Sequence, residues 1–143
     1  DPFDHGLVVE GIDISARMIE LARAADASVV LHEADICTWL PPRAYRFISA
    51  WDSIWHVPLQ DQRALMLKLM GMLEPEGVLA FSAGGLDVPS EHVDATMGPP
   101  VYYSTLGIPG LLQVTQDGGC ICRHLEFDQL PQSHLFVVVQ RRA

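Results

Sequence analysis

Two acids stand where strand-like runs give out. Val8-Val9-Glu10-Gly11-Ile12 is short, apolar and β-branched, ends on Asp13, and passes through Ser15 into a segment, 16–23, whose apolar residues recur at helical spacing. Glu33-Ala34-Asp35-Ile36 repeats the pattern, with Asp35 following a second β-branched run at 29–31. A carboxylate at the carboxyl end of a parallel strand faces the crevice where open α/β sheets bind ligands, and it can accept two hydrogen bonds from a ribose diol. His56, in Trp51-Asp52-Ser53-Ile54-Trp55-His56, is the candidate acid or base, because imidazole titrates near neutrality. Glu91, His92 and Asp94, followed by Tyr102-Tyr103, could cover a bound small molecule, with the tyrosines stacking on it. Asp87, Glu91, His92 and Asp94 lack the spacing of metal ligands, and no metal site is expected.

The elements that must position these groups follow from pattern and punctuation. A strand is expected over 8–12, a helix from Ser15 as N-cap to about 24 with Met18, Ile19 and Ala22 on one face, and a second strand ending near Asp35. Pro41-Pro42 forces a loop, and 46–51 reads as a third strand. Residues 59–73 carry Leu65, Met66, Leu69, Met70, Met72 and Leu73 against Asp61, Arg63 and Lys68, which is an amphipathic helix. Glu74-Pro75-Glu76-Gly77 ends it, and 78–82 is a fourth strand. The Gly- and Pro-rich stretch 84–100 is expected to be a long loop, and 104–116 a weaker helix secure only over 111–116 because of Pro109 and Gly110. The runs 120–127 and 135–139, with no helix between them, form an antiparallel pair. This alternation describes an open α/β sheet with an antiparallel pair at its end.

Composition narrows the class of function. A chain of 143 residues is expected to be one domain with a real core. With a net charge of −9 and only nine Lys plus Arg, it would repel phosphate backbones, so a small-molecule partner is expected and nucleic acid is not. No apolar run is long enough for a membrane helix, and a membrane partner is not expected. Cys37, Cys120 and Cys122 show neither C-x-x-C nor zinc spacing and read as reduced, buried thiols. Together with first residues that show no secretion signal, this gives a cytoplasmic expectation.

Four pieces then resemble the class I S-adenosylmethionine-dependent methyltransferases: G-I-D-I-S-A-R-M-I-E-L-A-R at 11–23, E-A-D-I at 33–36, F-I-S-A-W-D-S-I-W-H-V-P at 47–58 and M-L-E-P-E-G-V-L-A-F-S at 72–82. Their order and spacing are similar to the family's across nearly the whole chain. The resemblance implies a Rossmann-like open sheet, mostly parallel with a C-terminal antiparallel strand pair, and S-adenosylmethionine as cofactor. Asp13 would hold the ribose hydroxyls, Ile14 and Met18 would lie against the nucleoside, and Asp35 with Ile36 would meet the adenine. Trp51, Asp52 and Ser53 would contact the methionine portion, His56 would be the catalytic candidate, and Trp55, Tyr102 and Tyr103 would touch the acceptor. The family's first strand and its glycine-rich loop, where only glycine lets backbone amides approach the cofactor closely, are not found in these residues. The expectation is an N-terminally incomplete domain, impaired in cofactor binding, with a gap between the strands at 8–12 and 46–51. Unpaired edges there could also recruit a second copy into a homo-oligomer. Two rivals are a nicotinamide-dependent Rossmann oxidoreductase, disfavoured by the terminal antiparallel pair and the lack of Tyr-x-x-x-Lys, and a non-catalytic binding or assembly module.

Overall fold

A helix begins where something accepts its first amide hydrogens, and Ser15 supplies that acceptor, its hydroxyl taking the Met18 N–H at 3.3 Å. The computed structural model describes residues 6–143 and falls into two units, one up to Leu40 and one from Pro41 onward. In the first, strand β1 (Glu10–Asp13) leads through helix α1 (Ala16–Ala25) to strand β2 (Val30–Glu33). β1 and β2 are parallel, with Asp13 opposite Glu33, so their carboxyl ends coincide. The strand starts later than expected. Val8 and Val9 lie before it and are exposed, because the ladder begins only where Val30 faces Glu10.

The second unit holds β3 (Tyr45–Ala50), a short 3₁₀ turn (Ile54–His56), α2 (Leu59–Gly71), β4 (Leu73–Gly84), β5 (Ser90–Asp94), β6 (Val101–Thr105), α3 (Gly107–Asp117), β7 (Cys120–Phe127) and β8 (His134–Arg141). Its main sheet has the order β3-β4-β8-β7, parallel between β3 and β4 and antiparallel around β8. The core is the α2 stripe Leu65, Met66, Leu69 and Met70 with Leu79 and Phe81 of β4, Val114 of α3, and Leu135, Val137 and Val139 of β8. Burying such side chains is the main favourable term in the fold. Among the described residues β1 pairs only with β2, and β3 only with β4, so each keeps one edge without a strand against it.

Three expectations need correction. The turn at 74–77 does not precede the fourth strand but lies within it as a bulge. The register slips between Tyr45↔Leu73 and Phe47↔Val78, and Glu76 takes φ 64°. The stretch 84–100 is not one long loop, because 90–94 and 101–105 pair as an antiparallel hairpin from Ser90↔Thr105 to Asp94↔Val101. β5 is mostly exposed, and β6 runs from exposed Val101 to buried Ser104 and Thr105, so neither strand shows the alternation that marks a half-buried strand. Ser104 therefore sits in a strand. Helix α3 starts at Gly107 and runs through Pro109, which falls in the first turn, where amide hydrogens have no intrahelical partner to lose.

Gly107 is the hinge from β6 into α3. Its φ is +73°, and a Cβ there would lie 2.8 Å from the Val88 carbonyl carbon. Gly107→Ala is expected to lower stability by about 1–3 kcal/mol, the size of a forced left-handed backbone, measured as a fall in the urea midpoint at unchanged slope.

Candidate functional site

In the first unit the acids sit where strand gives way to turn. Asp13 closes β1 half-buried, and its Oδ1 accepts the Ser15 N–H at 2.7 Å, which bends the chain into α1. The Asp13 carbonyl accepts the Ala34 N–H at 3.0 Å, tying the two strand ends together. Asp35 is exposed two residues beyond β2. Its Oδ1 accepts the Cys37 N–H at 2.8 Å, and its carbonyl accepts from Thr38 and Trp39. Asp13 and Asp35 are thus brought to the same end of one strand pair. Ile14 is 72% and Met18 52% exposed on the same turn and helix, a large apolar surface to leave in water. Ile36 is half-buried beside Asp35.

In the second unit the chain leaves β3 through Trp51, Asp52 and Ser53. Asp52 takes the left-handed φ of 48°, an uncommon conformation for a residue with a side chain. Its N–H donates to Ser82 Oγ at 2.7 Å, and the Ser82 hydroxyl returns to Asp52 Oδ1 at 3.2 Å. Trp51 stays 45% exposed while its ring meets His134 and Phe136, each at 5.5 Å. Ser53 precedes the 3₁₀ turn without capping it.

Trp55, His56, Tyr102 and Tyr103 come together. The Trp55 indole N–H donates to His56 Nε2 at 3.2 Å, and His56 Nδ1 lies 3.0 Å from the Tyr102 carbonyl. An indole only donates and a carbonyl only accepts, so this geometry needs neutral imidazole with its proton on Nδ1. Tyr103 stacks on His92 at 5.4 Å and 17°, and it also meets the rings of His56 and Trp55. The Tyr102 hydroxyl accepts the first amide of α2, Leu59 N–H, at 3.0 Å and donates to Glu91 at 2.5 Å. Beside it opens a cavity of about 730 Å³ lined by His56, Pro58, Leu59, Gln60, Glu91 and Tyr102.

Several supporting residues escaped the sequence reading. Gln62 is 2% exposed, and its amide donates to the Ile54 carbonyl, the Ser104 carbonyl and Ser104 Oγ at 3.2, 2.9 and 2.7 Å. The Ser104 hydroxyl in turn donates to the Val57 carbonyl at 2.6 Å. A signal existed, since Gln62 is a polar residue at the start of the apolar stripe 65, 66, 69 and 70. His134 was missed without such a signal. It is 7% exposed and lies between Asp128 Oδ1, 2.5 Å from Nδ1, and Asp52 Oδ1, 3.2 Å from Nε2. Burial opposes its charge, but hydrogen bonds to Asp128 and then Asp52, with the charges of both acids, outweigh that and raise its pKa above the ordinary histidine value.

A family model described as a methyltransferase domain matches residues 2–81, more than half of the chain. The chain belongs to the class I S-adenosylmethionine-dependent methyltransferases. It is 30% identical over 140 residues to trans-aconitate 2-methyltransferase of Escherichia coli, a match covering 91% of this chain and 54% of that protein. Among solved structures it is similar to an S-adenosylmethionine-dependent methyltransferase from Mesorhizobium loti, with TM-score 0.76 and 19% identity over 96% of this chain and 82% of that one. It is also similar to the 1,6-didemethyltoxoflavin-N1-methyltransferase of Burkholderia thailandensis, solved with that compound and S-adenosylhomocysteine, with TM-score 0.75 and 12% identity over 98% and 64% of the two chains. At these identities the structures share the fold. This methyltransferase chain spans about half the length of its Escherichia coli relative, and the cofactor its family implies is S-adenosylmethionine.

Gln62 is the joint between α2, the 3₁₀ turn and β6 in this methyltransferase domain. Gln62→Leu keeps the shape but leaves the Ile54 and Ser104 carbonyls without that donor. The expected loss is roughly 1–3 kcal/mol, read as a lowered thermal midpoint.

Proposed function

We propose that this protein transfers a methyl group from S-adenosylmethionine to a small-molecule acceptor. The observation that carries the reading is the placement of Asp13: a half-buried carboxylate at the carboxyl end of a parallel strand, one oxygen committed to the turn, with exposed Ile14 and Met18 beside it. That arrangement suits a nucleoside, since a carboxylate oxygen accepts from a ribose hydroxyl and the apolar side chains lose water to the ring. Asp35 and Ile36 would serve the adenine edge, and Trp51, Asp52 and Ser53 the methionine end. When bound, the cofactor supplies an electrophilic methyl group, so the chain's own task is alignment and exclusion of water.

The cavity beside Tyr102 and the rings of Trp55 and Tyr103 would hold the acceptor. To act as a base, His56 would have to exchange the Trp55 N–H for the acceptor's proton donor; in the present geometry it braces the turn that carries both. The exposed acids of this face and the net charge of −9 fit a small acceptor better than nucleic acid. Trans-aconitate is the substrate in the name of several relatives, which makes a small carboxylic acid the first acceptor to try. Three free cysteines fit a reducing, cytoplasmic setting. The glycine-rich loop expected to approach the methionine moiety is not among these 143 residues, and their own affinity for the cofactor would be weak.

The test is an NMR titration of the chain with S-adenosylmethionine, its demethylated product and NAD. S-Adenosylmethionine is expected to shift the resonances of Asp13, Ile14 and Met18 with an affinity weaker than micromolar, and Asp13→Asn to weaken it roughly tenfold further, as loss of a charged hydrogen-bond acceptor does. Shifts caused by NAD alone would overturn the reading, and micromolar binding would overturn the weak grip.

A further inference from the structure

His134 is none of the residues assigned above to cofactor or acceptor, yet its contacts end on one of them. It opens β8 opposite Gly84, at the carboxyl end of β4, with its side chain 8% exposed. Asp128 Oδ1 and Asp52 Oδ1 lie 2.5 and 3.2 Å from its two ring nitrogens. Ionised carboxylates only accept hydrogen bonds, so both contacts are hydrogen bonds when the imidazole carries both protons. The Asp52 oxygen that receives His134 also receives the Ser82 hydroxyl, while Ser82 Oγ takes the Asp52 N–H. The loop of contacts closes around a residue at φ 48°. Trp51 and Trp55 lie over the same imidazole at 5.5 and 5.2 Å. Among the described residues no group of His, Cys, Asp and Glu has metal-holding geometry, so the cluster is one of hydrogen bonds and ion pairs.

We propose that His134 is a positioning residue: as a cation bridging Asp128 and Asp52, it holds the left-handed Asp52 turn and seats the Trp51 ring that faces the cofactor's methionine end. The part that concerns the cofactor rests on the reading of 51–53 given under the proposed function. Exposed Asp52, whose side chain is 57% accessible, would not hold an unfavourable backbone by itself. The buried partner supplies the constraint.

The charged groups recorded against the ring are Asp52 from the turn after β3 and Asp128 from the end of β7, and the Gln129 amide lies 3.3 Å from Nε2. His134 is shifted upward, so its bridge is complete below the ordinary histidine pKa and is lost as pH rises through the raised value. For Asp128, burial works upward, but the hydrogen bond from His134 and further local bonds carry its carboxyl below the usual value. Its share is present above the ordinary carboxylate pKa and fails only as pH falls through the lowered one. The bridge therefore spans mildly acidic to neutral pH and opens on the alkaline side.

The experiment follows the His134 ring and the Trp51 indole N–H by NMR across pH in the free chain, then measures S-adenosylmethionine affinity over the same range. The expected result is one shared midpoint above the ordinary ~6.5 of histidine for both signals, with affinity falling roughly tenfold above it. In Asp128→Asn, which keeps the ring and its size, the shared midpoint should fall, because the acid that most raises it is gone, and the affinity step should move with it. A titration of the ligand itself would leave that step where it was. His134→Gln, neutral at all pH, should give a Trp51 signal that no longer depends on pH. A Trp51 resonance indifferent to His134 titration, or an affinity step that ignores Asp128→Asn, would overturn the proposal. If Trp51 follows His134 but S-adenosylmethionine binds at no pH, the bridge stands and the cofactor reading of 51–53 falls.

Discussion

A strand flanked on both sides must find a partner for nearly every backbone N–H and C=O, and β4 is where the second unit meets that demand. Phe47–Ala50 of β3 pair along one side of residues 78–81, and β8 pairs along the other from Val78↔Gln140 to Gly84↔His134. Leu79 and Phe81 of this strand are fully buried. The ladder also decides where polar groups meet. Because β3 runs parallel to β4, its exit at Asp52 falls beside Ser82, and because β8 runs antiparallel, its first residue, His134, arrives at the same end.

Beyond the strand ends, side chains take over from ladders. Gln62 reaches three acceptors, Ser104 passes one bond on to Val57, and Tyr102 joins α2 to the hairpin. Buried polar groups of this kind are costly unless satisfied, and when satisfied they fix one arrangement. This is how a 3₁₀ turn and a hairpin buried only at its base can present Trp55, His56 and Tyr103 as an ordered set of rings.

What could be read in advance was whatever depends on short-range pattern. Ser15 as a cap, the stripe of α2 and the acids closing β1 and following β2 are local statements, and the structure places them near the expected positions. The hairpin at 90–105 was not legible, because neither strand carries period-two burial: β5 is mostly exposed, and β6 is buried only at its end, at Ser104 and Thr105. The α3 start was obscured by Pro109, whose penalty vanishes in a first turn. The His134 bridge was beyond reach for another reason. Asp52 and His134 are 82 residues apart, and only the register of β4 and β8 brings them together.

Helix α2 is preceded by Pro58, which has no side chain able to accept a hydrogen bond, and its first residue, Leu59, borrows the hydroxyl of Tyr102 from 43 residues further along. Surface hairpins are usually where chains accept insertions and deletions most freely. Here the freedom is unevenly shared. Residues 95–100, with Met97 almost wholly in solvent, can vary in length, whereas a change of register in β6 would carry Tyr102 away from the start of a core helix. Diversification of this face should therefore proceed through the tip of the hairpin, while its base is inherited together with α2.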